Sequence, residues 1–260
     1  YDGHGGKEVV DSLRHTLPAF LSSALSFGTP TSALESAFSY AGNIIVGTQP
    51  GTVGACAAVV IVDNDAITCA NVGDVAVVLI QSSGAPIILT TKHCKSNDEE
   101  RKRVESSGAH WANGGRVNGV LRVSRAFGDG DFKGRKAVKA WKTPFASDPV
   151  IAMPSISVRK RSPSDALVLV MTDGVVDGFG SECKAAAYIR RQVRKLGDLD
   201  KAAKATLDEA RARGSKDDLS LLVCDLRDGL VAEEAPAWKP VVPPPAARPK
   251  PEAYDDDFAF

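Results

Sequence analysis

Three apolar runs follow one another in the first half of the chain: ACAAVVIVD (55–63), AITCANV (66–72) and VAVVLIQ (75–81). Each has the length of a strand and falls far short of the ~20 apolar residues needed to cross a bilayer as a helix. They are joined by Asn64-Asp65 and Gly73-Asp74, and SSGAP leads from the third into IILT. Connections this short predict a meander of antiparallel strands. Such a sheet needs further strands and helices to cover its apolar faces. ISV, DALVLVMTDG and LSLLVCDL supply strands later in the chain.

Helical patterns lie on both sides of this block. From Lys7 the apolar residues Val9, Val10, Leu13 and Leu17 recur at helical spacing, and Pro18 is expected to break or kink that helix. Ser32-x-x-Glu35 reads as a capping box for a second helix, with Leu34, Phe38, Ala41 and Ile45 on one face. Asn97 with Glu100 is expected to cap a charged helix ending at Gly108, and Asn118-Gly119 is a hairpin signal. Two more helices are predicted over 181–196, stopped by Gly197, and 199–212, stopped by Gly214. Strands towards both ends, with helices gathered in pairs, predict an α+β fold: a central antiparallel β-sandwich flanked by pairs of helices. Residues 229–260 differ in character. They are rich in Pro and Ala with an acidic, aromatic end, which predicts a disordered, partly polyproline II tail.

Composition bounds the partners. Lys plus Arg number 32 and Asp plus Glu number 32, a balance that argues against bulk nucleic-acid or membrane electrostatics. The five cysteines are odd in number, scattered and without a CxxC pair, which predicts a reduced, intracellular setting, cytoplasmic or nuclear. Cys56, Cys69 and Cys224 lie inside apolar runs, where a thiol behaves as a small hydrophobe.

The acidic residues carry the chemistry. Asp2, Asp74, Asp173, Asp177, Asp217 and Asp218 each stand beside the end of an apolar run, next to Gly or another Asp. Any one of them reads equally well as turn chemistry. As a set, they suit a hard divalent cation, which takes several oxygens delivered from rigid elements that converge. Glycine beside such a ligand lets the backbone approach the ion.

DGHGG, ANVGD, GRVNGVLRVSRAFGD, TDGVVD and GSKDDLS occur in that order. Together they resemble the motifs of the metal-dependent protein serine/threonine phosphatases of type 2C, the PPM family, over residues 1 to about 226. The resemblance implies the type 2C fold, with α-β-β-α layers, and hydrolysis of phosphoserine and phosphothreonine monoesters. The cofactors it implies are Mg²⁺ or Mn²⁺, two per active site with a weaker third, and the nucleophile is a bridging hydroxide. It implies that Asp2 bridges the two metals, that Gly3 supplies a backbone carbonyl, and that Asp173 and Asp217 complete the pair. Asp74 and Asp177 match the third site, and His4 matches the general acid that protonates the leaving alkoxide. No cysteine stands in a CxxxxxR loop, which argues against a covalent thiol phosphatase.

Departures from the family pattern shape the remaining expectations. Family members carry a strand and a phosphate-gripping arginine before DGHGG. Residues 1–228 are therefore expected to form a phosphatase domain lacking its first strand, truncated at its N-terminus. Val75-Ala76 stands where Ser-Arg is usual, Asp218 where Asn is usual, and Val176 where Trp is common. These changes keep a second reading open: a catalytically impaired pseudophosphatase acting as a regulatory binding domain. The implied partners are phosphoprotein substrates, with no nucleic acid and no membrane, and a monomer is expected. Lys133, Arg135, Lys136, Lys139 and Lys142 make residues 131–149 basic, where the family carries a variable flap; they read either as an attractor for acidic substrates or as a solvated loop. Pro240-x-x-Pro243 would allow a weak SH3 or WW contact through the tail.

Overall fold

A computed structural model describes residues 1–134, 140–141 and 145–227. Its first sheet begins with β1 (Asp2–His4), which pairs antiparallel with β2 (Gly54–Val62) in the register Asp2↔Cys56 and His4↔Gly54. β2 turns into β3 (Ala66–Val72), with Ala57 opposite Val72 and Val62 opposite Ile67. The third apolar run does not continue this meander. β4 (Ala76–Gln81) leaves for a second sheet, where it pairs with β5 (Pro86–Ile88) and, across the chain, with β10 (Asp165–Met171). β9 (Ser155–Lys160) pairs with β3, and β11 (Leu221–Asp225) with β10. The expectation of one continuous meander is thus corrected: the chain changes sheet at Gly73-Asp74.

The alternation of side chains explains why. Along β2, Ala55, Ala57, Val59 and Ile61 face one way, against α1 (Glu8–Leu25) and α2 (Pro30–Thr48). Val60 and Val62 face the other way, packing with Ile67, Cys69, Val77, Leu79 and Val168 between the sheets. β4 and β10 turn Val78, Ile80, Leu167 and Leu169 outward onto a second helical layer. That layer is α4 (Asp173–Phe179), α5 (Glu182–Leu196) and α6 (Leu199–Ala212). Strands apolar on both faces need cover on both faces, so two stacked sheets between helical layers satisfy every run. α3 (Asp98–Ser106) and the short strands β6 (Trp111–Ala112) and β7 (Arg116–Val117) belong to a smaller structure with its own apolar cluster around Val104, Val117 and Phe132, whereas β8 (Phe127–Gly128) pairs with β2 in the first sheet.

Local signals fared unevenly. α1 runs through Pro18 without breaking, because Val9, Leu13 and Leu17 are all buried against its partners and packing outweighs one missing N–H. α2 starts three residues before the expected capping box. Thr29 is its N-cap, with Pro30 in the first turn, and the Ser32 N–H donates to Thr29 Oγ1 at 3.3 Å. Asn97 does cap α3, accepting from Glu99 and Glu100 N–H at 3.0 and 3.3 Å. Glu100 is turned inward instead of reaching back to the cap. Asn118 and Gly119 form a turn with positive φ that closes the Val117–Leu121 bridge, while the β6–β7 hairpin turns at Asn113–Gly115. α4 was not foreseen at all.

Lys133 is buried, and its Nζ donates to the carbonyls of Ala126 and Gly128 at 2.7 and 2.6 Å. It is therefore a structural cation and no part of a solvated basic flap; Arg135, Lys136, Lys139 and Lys142 lie outside the described residues, as does the 229–260 tail with its Pro240-x-x-Pro243 motif. All five cysteines are free. No helix among the described residues is long and apolar enough to cross a membrane.

Candidate metal centre

The change of sheet at Gly73-Asp74 has a chemical consequence. It leaves Asp74 at the rim of the sandwich, beside the start of β1 and the end of β10. Carboxylate oxygens of Asp2, Asp74 and Asp173 there lie within 4.8 Å of one another. Three elements deliver them: β1 carries Asp2, the β3–β4 connection carries Asp74, and α4 begins at Asp173. Thr172 links β10 to α4, and its Oγ1 donates to the Asp218 carbonyl at 3.2 Å while accepting from Ser220 N–H at 3.0 Å. This ties the Asp217-Asp218 loop to the same rim.

Of the residues anticipated from sequence, Asp2, Asp74 and Asp173 form the tight group. Asp217 lies outside that group but close enough for its charge to act on both Asp2 and Asp173. Asp177, one turn along α4, also acts on Asp173 and lines the same cleft. Gly3 stands between Asp2 and His4 on the opposite face of β1, where a Cβ would meet Val10 Cγ2 at 2.8 Å.

Burial first, and then the charges of Asp173, Asp74 and Asp217, push the Asp2 carboxyl far above the ordinary carboxylate range. Burial followed by Asp74, Asp217 and Asp177 raises Asp173 as well, against a hydrogen bond with Asp2 that pulls it down. Carboxylates this close cannot all stay ionised without a counter-charge. Several hard oxygen donors under mutual repulsion are what Mg²⁺ or Mn²⁺ binds, so the donor set fits such an ion.

His4 points from the same face of β1 as Asp2. Its Nε2 lies 2.9 Å from both Oδ1 and Oδ2 of Asp129. Burial, the largest influence, lowers the imidazole pKa, but the Asp129 hydrogen bond and charge, with Asp2 and Asp74, outweigh it and raise the value overall. The contact depends on Gly54, which pairs with His4 on one side and with Gly128 on the other. A Cβ at Gly54 would stand 2.2 Å from Asp129 Oδ2 and 2.4 Å from His4 Nε2.

Asp129 was not singled out from sequence, although it ends the SRAFGD run as the other acidic residues end theirs. His93 gave no signal. It is fully buried; its Nδ1 accepts from Gly73 N–H at 3.1 Å, and its own N–H donates to the Gly73 carbonyl at 3.1 Å. With Nδ1 accepting, the ring proton sits on Nε2 and is donated to Ser155 Oγ at 2.8 Å. His93 thus clamps the turn that aims Asp74. Gly73 itself has φ +87° and faces Cys56, so no other residue fits there. Cys56 Sγ donates to Asp74 Oδ1 at 3.4 Å.

Comparison with known proteins gives a consistent result. The family profile described as protein phosphatase 2C matches residues 1–219. An Arabidopsis thaliana protein named probable protein phosphatase 2C 28 is 30% identical over 86% of this chain and 62% of its own length. Protein phosphatase 2C homolog 2 of Schizosaccharomyces pombe is 32% identical over 83% of this chain and 58% of its own. The chain therefore spans about three fifths of these relatives. Among solved structures, a Toxoplasma gondii phosphatase superposes with a TM-score of 0.70 over 85% of this chain and 82% of its own, at 22% identity, a likeness of fold.

Proposed function

The chain belongs to the protein phosphatase 2C family, and from that premise we propose that it hydrolyses phosphoserine and phosphothreonine monoesters on proteins, using Mg²⁺ or Mn²⁺ held at the acidic rim. The observation that carries this reading is the convergence of Asp2, Asp74 and Asp173, whose ligand oxygens lie within 4.8 Å of one another. Asp2, Gly3, Asp173 and Asp217 are the proposed ligands of a cation pair, with Asp74 and Asp177 for a weaker third. The place of Asp74 within the tight group favours a direct part for it. When bound, the cations would supply charge that neutralises the phosphate oxygens and would lower the pKa of a water poised to attack phosphorus.

The chain's own residues account for the rest. The serine or threonine alkoxide is a poor leaving group, and a protonated His4 is placed to give it a proton from the imidazole, an effect worth about 10²–10⁴ in rate. Asp129 keeps that imidazole protonated and oriented. Gly54 lets the two side chains meet, and His93 holds the turn bearing Asp74.

The test is phosphate release from a phosphothreonine peptide with added Mn²⁺, comparing the parent with Asp173→Asn. Mn²⁺-dependent release, reduced roughly 10³-fold by the substitution, is expected, because several kcal/mol of transition-state stabilisation depend on the ligand set. Release that ignores Mn²⁺, or survives the substitution, overturns the reading. Silence from the parent leaves two explanations, a truncated phosphatase or a regulatory binding domain, and repeating the assay on a longer chain separates them.

A further inference from the structure

The acidic rim opens into a cleft of about 720 Å³. Asp74, Asp173 and Asp177 form its acidic part, and Lys92, Lys95 and Arg122 line it as well. Lys92 is already paired, its Nζ lying 3.0 Å from Glu182 Oε1. Lys95 and Arg122 are exposed and have no carboxylate within ion-pair distance among the described residues.

The backbone holds these two cations together. Cys94 and Val123 form an antiparallel bridge, which sets the next residue of one segment, Lys95, across from the preceding residue of the other, Arg122. Both side chains are exposed and line the same cleft, and neither is neutralised by a carboxylate among the described residues, so their charge is open to an anion that enters there.

We infer that Lys95 and Arg122 form a subsite for a second anionic group on the substrate, a carboxylate or a further phosphate within a few residues of the phosphoester being hydrolysed. This rests on the phosphatase reading above and names its substrate class: acidic or multiply phosphorylated segments. The geometry follows from the cleft. With the phosphoester at the acidic part, the substrate backbone leaves along the cleft, and an extended chain advances only about 3.3 Å per residue. A neighbouring anionic side chain then meets the Lys95–Arg122 pair. Once divalent cations occupy the acidic part, they and the Lys95–Arg122 pair both present positive charge, the complement of a substrate with two anions. The subsite does not draw on Lys133, the described cation of the basic 131–149 segment, which is buried.

The experiment uses the full chain and three phosphothreonine peptides that differ only in the flanking positions: neutral, Asp-bearing, and carrying a second phosphate. Turnover and peptide binding by fluorescence anisotropy are both measured, with p-nitrophenyl phosphate as a substrate that has no flanking groups. The parent is expected to prefer the acidic peptides roughly tenfold in kcat/KM, through KM, with the preference shrinking at high salt. Lys95→Ala with Arg122→Ala removes the preference while leaving p-nitrophenyl phosphate turnover unchanged, and Lys95→Glu with Arg122→Glu turns it towards Lys-bearing peptides. A preference that persists in both double variants, or a parent with none, overturns the subsite. Absence of turnover on every substrate would instead bear on the phosphatase reading, and the binding series would then decide the subsite by the same criterion. A response to the doubly phosphorylated peptide alone assigns the anion as phosphate; a response to both acidic peptides assigns it as any carboxylate or phosphate.

Discussion

Glu100 and the Asp2–Asp74–Asp173 group both hold carboxylates away from bulk water, and the protein treats them in opposite ways. Glu100 is 2% exposed. Arg125 Nη2 donates to its Oε1 at 2.6 Å, Arg103 Nη2 to its Oε2 at 2.9 Å, and Ser124 Oγ also donates to Oε2. The same guanidinium of Arg103 donates to the carbonyls of Ser124 and Pro149 at 2.7 and 3.0 Å, so α3 is riveted to two neighbouring segments. Burial alone would raise the Glu100 pKa, but Arg125, Arg103 and Ser124 together hold it down at about 2. At the acidic rim no guanidinium among the described residues pairs with the carboxylates, and Asp2 and Asp173 are pushed upward by burial and by neighbouring carboxylates. A carboxylate whose charge is answered inside the protein is a structural bolt. Carboxylates left to repel one another await a cation from outside, and they lie where the cleft is.

The contrast breaks most readily at Glu100. Glu100→Gln leaves two guanidinium groups facing a neutral amide and is expected to lower stability by about 3–5 kcal/mol in urea unfolding. A loss below about 1 kcal/mol would mean the network is slack. At the rim the sign reverses. Mn²⁺ at a hundred times its Kd should stabilise the parent by about 2.7 kcal/mol. Asp173→Asn should lose much of that gain, yet unfold at a higher temperature than the parent when both are metal-free, because one repelling charge is gone. A metal-free variant less stable than its parent would refute the account of the cluster.

A finer test concerns the clamp on Asp74. His93→Ala frees the Gly73 turn and should weaken Mn²⁺ affinity about tenfold, as loss of an outer-shell partner commonly does; unchanged affinity would show that the turn holds itself. The same contrast has a dependence on pH. Because the Glu100 pKa is depressed, its contribution is present above the ordinary 4.5 and fades as pH falls towards about 2. Because Asp2 and Asp173 are raised, the folded protein keeps protons that the unfolded chain has released, so metal-free stability should decline as pH rises from the ordinary carboxylate range towards neutrality. Saturating Mn²⁺ should flatten that decline in thermal melts taken across pH. His4 adds a kinetic counterpart. Turnover should fall as pH rises through its raised pKa, and Asp129→Asn should move that fall to lower pH.

Much of this was legible in the residues. Strand-length apolar runs, the helix faces through Leu34, Phe38, Ala41 and Ile45, and the glycine stops at 197 and 214 reappear in the structure where their periodicity and turn chemistry put them. The ordered acidic motifs pointed to Asp2, Asp173 and Asp217 for a cation pair and to Asp74 and Asp177 for a weaker third site, whereas the tight group in the structure is Asp2, Asp74 and Asp173. Other features were hidden for definable reasons. Pro18 reads as a break because its effect is local, whereas the burial that carries α1 past it is not. Glu100 reads as a cap because the capping pattern spans three residues, whereas Arg125 and Ser124, which draw it inward, lie 25 and 24 residues away. Lys133 reads as solvated because nothing nearby in sequence announces the two carbonyls that hold it.

Periodicity and turn chemistry were enough to mark most strands and helices, though not α4, and the acidic residues at the strand ends, because such signals are properties of neighbours along the chain. Tertiary structure alone decided that β4 leaves the sheet of β2 and β3, and so puts Asp74 beside Asp2 and Asp173. It alone set His4 over Gly54 against Asp129, and Lys95 opposite Arg122. Those juxtapositions join residues far apart along the chain, as with Asp2 and Asp173, and they hang on how both faces of every strand are buried at once.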